Sequence, residues 1–170
     1  VLDQLAEKAG DLANRQQESS NKVREAFGAS AGRPTPQSMR QSRLDPEQRK
    51  QAAELYEDKQ QIAEEIERLQ NEMQQAARRL ANNQRGAAEK LREGLRDAQQ
   101  DELGQRMRYS AELIRRGMGS MSYLREAPVA QGLRRLQEKL MEARDSLRPG
   151  GQRPADLAAG TTGSTSPTTR

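Results

Sequence analysis

The chain has 170 residues, no cysteine, no histidine and a formal net charge of +4. That excludes disulfides, thiolate chemistry and every imidazole device, from the usual general base to the usual metal ligand. Only 24 residues are Leu, Ile, Val or Phe, roughly 14%, short of the ~20% below which chains struggle to build a core, so a thick globular core is not expected.

A thin seam between helices needs far less apolar mass. The sequence is rich in Ala, Glu, Gln, Arg and Leu, all good helix formers. The fold class expected is therefore all-α: elongated coiled-coil-like helices or a helical hairpin, with a Gly/Pro linker and a disordered C-terminal tail.

Residues 1–27 form the first amphipathic helix. Leu2, Leu5, Ala9, Leu12, Gln16, Ser19, Val23 and Ala26 recur at alternating steps of three and four, with a polar middle at Gln16 and Ser19. Residues 28–44 then read as a flexible basic linker. Gly28, Gly32, Pro34 and Pro36 break the helix, and Arg33, Arg40 and Arg43 supply the charge.

The long helical region spans 45–127. Its start is marked by Asp45 as cap, Pro46 at the first helical position and Gln48 as capping-box partner. The seam that follows is Leu55, Lys59, Ile62, Ile66, Leu69, Met73, Ala76, Leu80 and Asn83, again in steps of four and three. Near 82–86 two readings stand. The helix continues through a phase shift as one rod, or the chain turns back with Gly86 ending the first arm. Charge leans toward the turn, because residues 46–75 carry net −4 and residues 76–116 net +4. Folding the arms together would oppose these blocks, each exposed pair adding roughly 0–1 kcal/mol.

A second arm, 86–125, carries Leu91, Leu95, Leu103, Met107, Ile114, Met118 and Met121, and weakens at Gly117, Gly119 and Ser120. Pro128 interrupts it. A last helix then fits 128–147, with Val129, Leu133, Leu136, Leu140, Ala143 and Leu147 in register. Residues 148–170 are Gly, Thr, Ser, Pro and Ala with little apolar content, the composition of a disordered tail.

Chemistry is sparse along this scaffold. No phosphate loop, dinucleotide fingerprint or calcium loop is present, so no cofactor is expected. Glu64, Glu65, Glu67 and Glu72 crowd one stretch but spread around the helix, as solvated carboxylates do. The packing positions expected are Leu55, Ile62, Ile66, Leu69, Met73, Leu80, Leu133, Leu136 and Leu140. Gln16, Lys59 and Asn83 are polar seam positions that tune register. Arg78, Arg79, Arg85, Arg92 and Arg96 are candidate anion-binding residues, and Arg106, Arg108, Arg115 and Arg116 form a second basic stretch. Acids interrupt both, and no aromatic platform accompanies them. Ile114, Met118, Met121 and Leu124, flanked by arginines, also fit a membrane-surface pattern, with Tyr109 and Tyr123 as anchors.

No run approaches the ~20 apolar residues needed to cross a bilayer. No signal peptide is visible, and a chain starting at Val1 reads as a piece of a longer protein. Leu5-Ala6-Glu7, Asp11-Leu12-Ala13-Asn14-Arg15-Gln16-Gln17, and the stretch from Arg115-Arg116-Gly117 to Gly132-Leu133-Arg134-Arg135-Leu136 carry a compositional likeness. In them the chain resembles the long Gln/Arg-rich helical regions of large bacterial membrane-anchored proteins of unknown function. That resemblance implies an extended extracytoplasmic coiled coil in the bacterial envelope, and transfers no functional residue.

The function expected is non-enzymatic: a structural or interaction segment making coiled-coil contacts within itself or with a protein partner. One alternative is a basic helical module binding nucleic acid or an anionic membrane surface. Another is a conditionally disordered protectant.

Overall fold

The computed structural model describes residues 1–27 and 46–147. The linker and tail expected at 28–44 and 148–170, with the Asp45 cap, lie outside the described residues. Within them the fold is all-α, as the composition and periodicity lead one to expect. Its helices are α1 (Leu2–Phe27), α2 (Pro46–Leu80), α3 (Arg85–Gln100), α4 (Leu103–Arg115) and α5 (Gly119–Asp145).

These five helices make four antiparallel arms, because α3 and α4 are two pieces of one arm. Pairs across each interface run in opposite directions. Lys8 meets Glu72 and Arg15 meets Asp58 between α1 and α2. Arg108 meets Glu67 between α4 and α2, and Arg135 meets Asp101 where the third arm lies on α5. Arg144 meets Asp3 between α5 and α1. The result is an up-down-up-down bundle in which each arm packs on its neighbours in sequence and α5 closes onto α1.

The chain turns back rather than continuing as a rod, and it does so over Ala81–Gln84. The Gln84 N–H donates to the Leu80 carbonyl at 2.8 Å. Gly86 is not the stop that its position suggested; it sits in the first turn of α3. Asn83 leaves the seam for the same reason: it lies exposed in the turn.

The third arm breaks at Asp101–Glu102, with Glu102 left-handed at φ 51°. The cause lies in the spacing of its apolar face. Leu91 and Ala98 are seven residues apart, but the next buried apolar residue, Leu103, comes five residues later. An unbroken helix would carry Leu103 about 140° away from the face holding Ala98. The kink resets the phase, and Arg106 Nε donates to the Asp101 carbonyl it frees, at 2.8 Å.

The arm ends at Arg115 with a Schellman turn. Gly117, at φ 78°, donates to the Ile114 carbonyl, and Met118 donates to Leu113 at 2.8 Å. Gly119 then starts α5 beneath Phe27, whose ring lies 2.3 Å from where a Cβ would sit. Ile114, Met118, Met121 and Leu124 therefore straddle a reversal and form no continuous apolar face. Ile114 is buried, Met118 and Met121 are half-buried and Leu124 is exposed.

Pro128 corrects the expected boundary most clearly, because it sits inside α5 and interrupts nothing. Its missing N–H and ring clash cost on the order of 3 kcal/mol in a helix interior. Burial on both sides offsets that cost, since Ser122 and Glu126 precede it and Val129 and Leu133 follow it on one buried face. Pro128→Ala is therefore expected to stabilise the protein by about 1–3 kcal/mol. Chemical denaturation of the two proteins in parallel checks this, and a lower midpoint for the alanine variant would contradict it.

Candidate functional site

The core is divided in two. The larger cluster holds Ile62, Ile66, Leu69, Met73, Leu133, Leu136 and Leu140, with Leu80 half-buried against it. A smaller cluster of Val23, Ala52, Leu55 and Ile114 lies toward the other end. All nine residues expected to pack thus fall on the interior, with Leu55 in the second cluster.

Between the clusters lies a charged layer. Lys59 of α2 and Glu126 of α5 form an ion pair, with both side chains fully buried. Ser20 of α1 donates to Glu126 Oε2 at 2.6 Å, and Ser110 of α4 donates to Glu126 Oε1. Lys59 Nζ donates to Ser19 Oγ at 3.1 Å. Every arm of the bundle therefore contributes to one polar layer. Burial pushes the Lys59 ammonium below its ordinary value, against the opposing pull of Glu126 and Asp58. One turn along α1, Gln16 is buried with neither amide atom bonded.

Lys59 and Gln16 are legible as polar seam positions; Glu126 and Ser110 are not. The signal for both is nonetheless in the spacing. Reading α5 backward from Leu133 and Val129 gives Glu126 and Ser122 in steps of four, three and four. Reading α4 forward gives Leu103, Met107, Ser110 and Ile114. Starting the last helix at Pro128 hides Glu126.

The four glutamates that crowd α2 do different work. Glu72 holds Lys8 at 2.6 Å, Glu65 holds Arg15 at 2.7 Å and Glu67 holds Arg108 at 2.9 Å, each tying two arms together. Glu64 pairs within its own helix. The tyrosines expected as anchors instead carry guanidinium groups: Arg24 stacks over Tyr123 at 4.7 Å and Arg125 over Tyr109 at 5.6 Å.

A second clamp joins α3 to α5. Lys139 and Lys90 both reach Glu93, at 3.1 and 3.4 Å, and hold its carboxyl below the usual range. Its contribution is present above the ordinary carboxylate pKa and is lost as pH falls through the lowered value. Glu93→Gln is therefore expected to remove part of the acid-induced loss of stability, read by thermal unfolding across the acid range. Identical acid limbs for the two proteins would contradict it.

Arg78, Arg79, Arg85, Arg92 and Arg96 are all exposed, and none meets a carboxylate among the described residues. The two charge blocks do not neutralise each other as expected. Antiparallel folding sets α3 beside the last turns of α2, which carry no acid after Glu72, whereas the other acids of α2, from Glu47 to Glu67, precede those turns. Among the crossing pairs, Arg108–Glu67 joins the blocks and the five arginines are left out.

An opening of about 500 Å³ lies between α1 and α2, lined by Lys8, Asp11, Arg15, Glu65, Arg68 and Glu72, with charges of both signs on both walls. The buried layer does not open into it. Among the described residues no group of three or more acidic side chains is placed to hold a metal ion, and no helix is long and apolar enough to cross a membrane.

Fold and site together define a single-chain antiparallel helical bundle whose four arms meet in a buried charged layer. Set against known proteins, the chain matches no family model, no curated protein and no solved structure.

Proposed function

We propose that this chain is a non-catalytic helical scaffold, a bundle whose seam is satisfied by its own arms and whose outer surface serves protein partners. The observation that carries the reading is the Lys59–Glu126 layer. A lone buried charge costs several kcal/mol, so this pair with its three serines needs all four arms in one register. Such a layer specifies one arrangement of helices against others, the role that single polar seam residues play in coiled coils. It also weighs against a protectant that folds only conditionally.

The buried carboxylate and ammonium are paired with each other and fully shielded from solvent among the described residues, which supports a structural role over acid–base work. A place in the bacterial envelope is part of the same proposal and rests on the resemblance in composition.

Light scattering coupled to size-exclusion chromatography tests the reading. A self-satisfied bundle elutes with the mass of one chain and unfolds in one cooperative step. A stable dimer or larger assembly that Leu69→Asp dissociates into folded single chains would show instead that the seam pairs between chains.

A further inference from the structure

We infer that the outer face of α3, with the adjoining last turn of α2, is a docking surface for the phosphate backbone of a double-helical nucleic acid. The inference goes beyond the scaffold reading and does not depend on it.

The surface is built from a narrow set of side chains. Between residues 74 and 100 fourteen residues are exposed: five Arg, seven Asn or Gln, Gly86 and Glu89. From Met73 to Ala88 there is no acidic residue. Arg85, Arg92 and Arg96 fall within about 40° of one another around α3 and span about 16 Å along it. Arg78 joins them from α2. It lies three turns beyond Glu67, on the flank of α2 where Glu67 meets Arg108 of α4. Arg79 lies on the other side of the tip, beside Val1 and Gln4, and is not part of the surface.

The chemistry selects among polyanions. Guanidinium and carboxamide groups are the donors that contact phosphate and sugar in protein–nucleic acid complexes. A membrane-surface helix needs an exposed apolar face to insert, and every exposed side chain here is polar. Single strands are held by stacking on aromatic rings, and the surface has none. A duplex asks only for charge at close spacing, since it carries one phosphate per ~1.7 Å of axis. Glu89 lies within the arginine strip and opposes such a ligand, which supplies a diagnostic substitution.

The experiment is a salt titration of fluorescence anisotropy with labelled DNA and RNA duplexes of about 20 base pairs, where four phosphate contacts give a log–log slope of about −3 to −4. Replacing Arg85, Arg92 and Arg96 together by Gln should weaken binding at least ~10-fold at low salt and flatten the slope by about 3. Glu89→Gln should strengthen binding about 2- to 5-fold, because one repulsive charge leaves the contact face. A control triple, Lys22→Gln, Arg115→Gln and Arg116→Gln, removes equal charge at the opposite end and should change affinity less than about 2-fold. All are surface changes, and circular dichroism verifies that helicity is retained. Four results overturn the proposal: no duplex binding at ~25 mM salt, an equal loss in the control triple, polyglutamate binding as tightly as duplex, or retention on phosphatidylserine vesicles alone.

Discussion

Glu126→Leu should destabilise the protein by about 3–5 kcal/mol, the usual cost of removing one partner from a buried ion pair. Lys59 would be left fully buried with Ser19 as its bonding partner, and Ser20 and Ser110 would lose their acceptor. The pH dependence of the deficit is diagnostic. With Glu126 gone, burial outweighs the remaining pull of Asp58 on Lys59 and holds its pKa below the ordinary 10.5. The unfolded chain then binds more protons than the folded one between the two values, so stability rises with pH across that window. The deficit should shrink as pH rises toward the ordinary lysine value. A further substitution, Lys59→Met, should recover most of the loss, since apolar replacements of buried pairs are often neutral or stabilising by roughly 1–4 kcal/mol. Urea denaturation of the two single variants and the double completes the cycle. Additive losses would mean that the two charges are not coupled.

Ile66→Asp should unfold the chain outright. Ile66 is fully buried in the larger cluster. Truncating such a side chain to alanine costs about 2–5 kcal/mol, and an unpaired buried carboxylate adds several more. The sum rivals the ~5–15 kcal/mol that holds a typical domain together. Helicity at 222 nm should fall across the whole chain, because the stability of helices in a folded protein comes mostly from packing of their apolar faces rather than from propensity. Retention of native helicity would place Ile66 on a surface, and with it the face of α2 that carries Ile62, Leu69 and Met73. The neighbouring Glu64→Gln, on the exposed side of the same helix, should change stability by no more than about 0.5 kcal/mol.

The helices themselves are legible in the sequence because a step of three or four is a direct consequence of 3.6 residues per turn. The same rule places Ile62, Leu69, Leu133 and Leu140 inside with no knowledge of the partner arm. What it does not convey is which seam positions meet. Lys59 stands out as a basic residue on an apolar stripe, and its mate is an acid on another stripe. Glu126 meets that description once α5 is read through Pro128. Local propensity argues against doing so, since proline is the worst helix former. Packing on both sides of the proline settles the matter, and packing is a property of the assembled bundle.

The break at Asp101–Glu102 is a similar case. The five-residue step from Ala98 to Leu103 is visible in the sequence, but it reads as a weak stretch of seam until the α5 face that both must reach is known. The unpaired arginines show the limit from the other side. Composition alone pairs the acidic first half of the long region with its basic second half. The antiparallel hairpin pairs positions instead, and it sets Arg85 to Arg96 beside the last turns of α2, which carry no acid after Glu72.

Isotope-filtered nuclear Overhauser spectroscopy on a mixture of labelled and unlabelled chains measures most directly whether one molecule brings its own four arms together. The Lys59 ε-methylene protons should show contacts to Ser19 and Glu126, and those contacts should arise within one chain. Contacts that appear only between differently labelled chains, or a Lys59 signal with the shift of a free lysine side chain, would contradict the bundle at its centre.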